Sequence, residues 1–127
     1  MKRVIKFRGK ALKDKQWVFG DFKYDGTFIA NHRVDPRTTT QFTGCYDRNG
    51  AEIFEGDILR ILYKNCTWLD REAYVFYNEG EWMCQSADKE ANPTCIFPGN
   101  KAGIYDIEVV GNVFDNPDFF QTQNILK

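Results

Sequence analysis

Residues 41–63, QFTGCYDRNGAEIFEGDILRILY, constrain the fold more than any other part of the chain. Asp47-Arg48-Asn49-Gly50 signals a tight turn, because Asn and Gly tolerate the positive φ that hairpin turns demand. Glu55-Gly56-Asp57 supplies a second reversal, and residues 58–63 then read as an apolar strand. Two reversals so close together leave room for short antiparallel strands and none for a helix of ordinary length.

The same grammar runs through the rest of the sequence. Residues 4–10 alternate, with Ile5 and Phe7 on one side and Lys6, Arg8 and Lys10 on the other, which predicts a half-buried strand. Residues 16–24 read as its returning partner, with Gly20 marking a bulge or a close backbone approach. Asp25-Gly26 is a further hairpin signal before a short strand at 27–30. Pro36 turns residues 34–38 into a loop. Strands are expected at 71–77, 82–85 and 105–114, with Ile107, Val109, Gly111 and Val113 sharing one face. Residues 86–101 have little pattern and read as a surface excursion. No sustained 3.6-residue period and no internal repeat occur, so the chain is expected to be all-β, a barrel or a sandwich.

At 127 residues and 16% aromatic content the chain has enough apolar surface for one folded core, which argues against disorder. The net charge of −1 is unevenly spread. Lys2, Arg3, Lys6, Arg8, Lys10, Lys13 and Lys15 against Asp14 leave +6 in the first fifteen residues and −7 in the remainder. That asymmetry points to an acidic or nucleic-acid partner, whereas a basic edge strand that resists aggregation explains it without one; the edge strand is the preferred reading. If Lys6, Arg8 and Lys10 share a solvent face, their charges stand about 7 Å apart and could track phosphates, with Trp17 offering a stacking ring. These four residues are the candidate nucleic-acid or partner contacts. The interleaved aromatics Phe7, Trp17, Phe19, Phe22, Tyr24 and Phe28 could form such a stacking platform, but core packing is the preferred reading.

The four cysteines, Cys45, Cys66, Cys84 and Cys95, lack zinc-site spacing, and His32 is the only histidine. Free thiols, a cytoplasmic setting and no membrane span are expected, since no apolar run reaches transmembrane length. Asp47, Glu52, Glu55 and Asp57 form an acidic cluster that could hold a divalent cation, although its spacing fits no EF-hand loop. His32, Asp35 and Cys45 could suggest nucleophilic chemistry, but nothing in the sequence activates the thiol. No phosphate-binding glycine loop is present. The expectation is therefore no catalytic residue, no cofactor and no metal.

Six segments in a fixed order carry a resemblance. They are Lys6-Phe7-Arg8-Gly9-Lys10, Trp17-Val18-Phe19-Gly20-Asp21, Val34-Asp35-Pro36-Arg37-Thr38, Gln41-Phe42-Thr43-Gly44, residues 47–57, and Val110-Gly111-Asn112-Val113-Phe114-Asp115-Asn116-Pro117. Together they resemble the YopX family of phage and prophage proteins from Lys6 to about Pro117, with residues 64–105 matching only loosely. The resemblance implies a small phage-associated protein with an SH3-like β-barrel at its centre and no catalytic residues to carry over. The expected architecture is an N-terminal β-hairpin unit at 1–40 packed on an SH3-like barrel at 41–127, with a variable insertion at about 86–104, in one compact domain. The expected function is a non-enzymatic binding or accessory module with a protein partner or, less favoured, nucleic acid, and with homo-oligomers also expected. The competing reading is a metal-dependent nucleic-acid-processing enzyme using Asp47, Glu52, Glu55 and Asp57.

Overall fold

The computed structural model describes residues 4–23, 27–63, 71–86, 94–95 and 105–119. Among the described residues, twelve strands carry the fold: β1 (Phe7–Lys10), β2 (Trp17–Gly20), β3 (Phe22–Lys23), β4 (Phe28–Ile29), β5 (His32–Arg33), β6 (Thr40–Tyr46), β7 (Glu52–Phe54), β8 (Asp57–Tyr63), β9 (Arg71–Asn78), β10 (Glu81–Ser86), β11 (Thr94–Cys95) and β12 (Tyr105–Asn112). A single 3-10 turn, Pro36–Thr38, precedes β6. Asp35 caps it by accepting the Arg37 backbone N–H, and Pro36 supplies the fixed φ of its first position. The chain is all-β, as its turn grammar predicts.

The strands form three antiparallel sheets, ordered β2-β1-β6-β7, β11-β10-β9-β8-β12 and β3-β4-β5. No closed barrel is present among the described residues, which corrects the expectation of one over 41–127. The β6–β7 hairpin bonds to β1 at its other edge instead of completing a ring with the five-stranded sheet. Its turn does touch that sheet, for the Arg48 N–H donates to the Ile107 carbonyl of β12. The apolar core of the five-stranded sheet gathers Ile53, Leu59, Ile61, Ala73, Val75, Trp82 and Cys84, with Cys45, Ile107 and Val109 against it.

A second correction concerns β1. Expected as an edge, it lies between β2 and β6, paired Arg8 to Phe19 on one side and Arg8 to Thr40 on the other. Its Arg8 side chain is buried, so the strand does not present a fully solvated basic face. Strands β1 and β6, which lie on either side of residue 40, are neighbours in this sheet. Most of the 86–101 segment and the tail beyond Phe119 lie outside the described residues, apart from Thr94–Cys95, which pairs with β10.

Candidate functional site

Where β1 meets the start of β8, the chain buries a charge pair. Arg8 Nη2 donates to Asp57 Oδ1 at 2.7 Å, and Asp57 Oδ2 accepts the Phe54 backbone N–H at 2.8 Å. Arg8 is 7% exposed and Asp57 1%. The guanidinium lies 4.5 Å from the Trp17 ring centroid and 4.8 Å from that of Phe54, so two aromatic faces take the place of water around the cation. Burial pushes the Asp57 carboxyl up despite the attraction of Arg8 and the Phe54 N–H. Such a pair sets geometry more than it adds stability, because desolvation offsets most of the attraction.

A second knot ties β1 and β2 to the end of β12. Lys10 Nζ bonds the Asp115 carboxylate, whose other oxygen accepts from Trp17 Nε1 at 3.0 Å and Asn112 Nδ2 at 2.9 Å. The hydrogen bond from Lys10 holds the Asp115 carboxyl down at about 2; burial opposes this, and the Trp17 and Asn112 donors assist. Asn112 Oδ1 accepts the backbone N–H groups of Phe114 and Asp115, the local Asn turn that ends the strand and aims Asp115 back at β1. Trp17 also packs edge-on against Phe114, with centroids 5.9 Å apart.

The basic row is thus paired along its length. Lys6 bonds Glu52, Arg8 bonds Asp57, and Lys10 bonds Asp115. It is not a row on one solvent face, and Trp17 is spent on Arg8 and Asp115. The platform aromatics divide between two seams: Phe19 packs on Phe54 with centroids 5.6 Å apart, and Phe7 on Phe22 at 4.3 Å.

The acidic cluster is divided as well. Asp47 accepts the backbone N–H groups of Asn49, Ala51 and Val109, closing the turn and fastening it to β12. Burial raises its carboxyl, but these three donors prevail and hold it below the usual range. With Glu52 and Asp57 ion-paired, only Glu55 of the four lacks a cation or a structural donor set of this kind. Burial pushes its carboxyl up against the one hydrogen bond from the Gln41 backbone.

Glu55 lines an open pocket of about 310 Å³ together with Phe7, Phe22, Pro36, Thr39, Thr40 and Gln41. Strands β1, β3 and β6 and the turns before β6 and β8 each contribute to its wall. The sequence reading missed this pocket, because its residues come from four separated segments, at 7, 22, 36–41 and 55. No sequence signal marks it, since the 42% exposure of Phe22 is a property of the folded chain.

His32, Asp35 and Cys45 serve separate elements. His32 is exposed on β5, Asp35 caps the 3-10 turn and pairs with Arg37, and Cys45 packs against the core of the five-stranded sheet. Neither Cys45 nor Cys84 is in a disulfide. No group of three or more His, Cys, Asp or Glu side chains converges as metal ligands among the described residues.

No curated protein matches the sequence. Among solved structures, the fold is similar to the crystal structure of protein EF1440 from Enterococcus faecalis, with a TM-score of 0.58, 22% identity, and coverage of 94% of this chain and 99% of that one. That likeness is one of fold. The model of the family described as YopX protein matches residues 4–121, which include both charge knots and the pocket. The chain belongs to the YopX protein family.

Proposed function

We propose that this chain is a non-enzymatic binding module of a phage or prophage, working in the bacterial cytoplasm on a protein partner. The observation that carries the reading is the intramolecular use of its charges. Lys6, Arg8 and Lys10 are each matched to a carboxylate, and Asp47, Glu52 and Asp57 are each engaged within the fold. A nucleic-acid track needs cations free to displace counterions, and a two-metal nuclease needs carboxylates free to hold ions. What stays open is a recess of mixed aromatic and polar lining, the kind of surface that recognises another molecule. The β8–β9–β10 meander that follows the Glu55–Gly56 turn supports an SH3-like relationship for this half of the chain. The edges of β2 and β12, which end their sheets, support self-association as a further property.

The test combines two assays on the full chain. Single- and double-stranded DNA is incubated with Mg²⁺ or Mn²⁺, and fluorescence anisotropy is followed with labelled oligonucleotides at low salt. We expect no cleavage and no binding. Metal-dependent cleavage that disappears in Asp47→Asn or Glu55→Gln would overturn the reading in favour of the nuclease. Salt-sensitive binding to oligonucleotides would replace the protein partner by nucleic acid.

A further inference from the structure

The pocket beside Glu55 has a definite chemistry. Its floor is an aromatic pair, Phe7 and Phe22, meeting edge to face with interplanar angle 90°. Pro36 adds an apolar wall, and Thr39, Thr40 and Gln41 complete the lining. None of the lining residues is cationic, and among the described residues Glu55 has no ion-pair partner. Every neighbouring carboxylate of the cluster is already satisfied from within the fold, so Glu55 alone presents an unmatched negative charge, and it does so beside exposed aromatic surface.

We propose that this pocket receives an arginine side chain presented by a protein partner. The inference deepens the binding-module reading and rests on it. A guanidinium can set its fork of N–H donors on the carboxylate while its face lies on a phenyl ring, which an ammonium cannot do as well. Arginine is also weakly hydrated and enriched at protein interfaces, where a buried anchor in a pocket dominates affinity. The volume of about 310 Å³ lies at the small end of ligand pockets, room for one long side chain and not for a large cofactor. Arg8 already shows the same arrangement within this fold, a guanidinium bonded to an aspartate and flanked by aromatic rings. An arriving cation opposes the upward push of burial on the Glu55 carboxyl and favours its charged form.

The experiment titrates the isotope-labelled full chain with N-acetyl-arginine methylamide and follows backbone amide shifts. A lone side chain without its peptide should bind at an affinity on the order of millimolar. Shifts should concentrate at Phe7, Phe22, Thr40, Gln41 and Glu55. Glu55→Gln should weaken binding about tenfold or more, the loss of a charge-assisted bond, and Phe22→Ala by about threefold. The neutral citrulline analogue, tested on the unaltered protein, should bind at least about tenfold more weakly, and this control holds even if a variant misfolds. Equal binding of citrulline, equal binding of the lysine analogue, or no shift at saturating millimolar ligand would each overturn the proposal. Such a failure leaves the binding-module reading standing, because nuclease and oligonucleotide assays decide that separately.

Discussion

Arg8 is the residue on which most depends. Cutting it to Ala removes the partner of a carboxylate that is 1% exposed, and an uncompensated buried charge typically destabilises by about 3–5 kcal/mol. We expect Arg8→Ala to lower stability by about that much in urea unfolding. The double variant Arg8→Ala/Asp57→Asn should lose less than the two single losses combined, because the second change removes the stranded charge. A loss that is simply additive would show that the pair is not coupled. Thr40 gives the opposite expectation. It stands directly across from Arg8 in the β1–β6 register, and its Oγ1, like Arg8 Nε, is buried without a hydrogen-bond partner among the described residues. A buried hydroxyl left unpaired is unfavourable by about 1–3 kcal/mol, so Thr40→Val should raise the melting temperature. A lower one would mean that the hydroxyl is satisfied in solution.

At the scale of elements, turns organise everything and glycines decide two of them. Gly56 sits at φ +89°, where an added Cβ would come within 2.9 Å of the Phe114 ring. Gly56→Ala would therefore strain the turn into β8 and push Phe114 off Trp17. We expect a loss of about 2–4 kcal/mol by chemical denaturation, larger than a surface Gly→Ala change. Gly50, also at positive φ but with open space around it, provides the comparison and should lose less. These turns explain why so much of the strand pattern was legible. The reversals at Asp47–Gly50 and Glu55–Gly56 are chemical signals local to the sequence, and β8, β9, β10 and β12 fall within a residue or two of their expected bounds. What was not legible is pairing. Alternation in residues 4–10 shows that Lys6, Arg8 and Lys10 share a side of the strand, but not that the other side of that space holds Glu52, Asp57 and Asp115. The bulge between Val109 and Gly111 likewise breaks the single face expected from Ile107 to Val113. Closed-barrel geometry failed for the same reason, since which edge β6 and β7 bond to is a long-range choice. The pocket was the least visible feature, assembled from side chains that have no common motif.

For the whole molecule, the Lys10–Asp115 knot is the clasp between the first sheet and the last strand. Its carboxyl is held at about 2, below its ordinary value of 3.8, chiefly by Lys10. A depressed carboxyl stabilises the fold fully above its unfolded pKa, and that contribution is lost as pH falls toward about 2. Unfolding midpoints should therefore drop between pH 4 and pH 2, and Lys10→Gln should flatten that drop while lowering the plateau above it. An unchanged acid profile in the variant would assign the drop to Asp47 or Asp35, the other carboxyls held below their ordinary value among the described residues. The clasp also joins residues 105 positions apart, and Arg8 and Asp57 stand 49 apart. On a ribosome adding about 5–20 residues per second, Lys10 waits roughly 5–20 s for its partner to be made. Lys6 and Arg8 have Glu52 and Asp57 after about half that wait, so Lys10 is the last of the three cations whose partner is made.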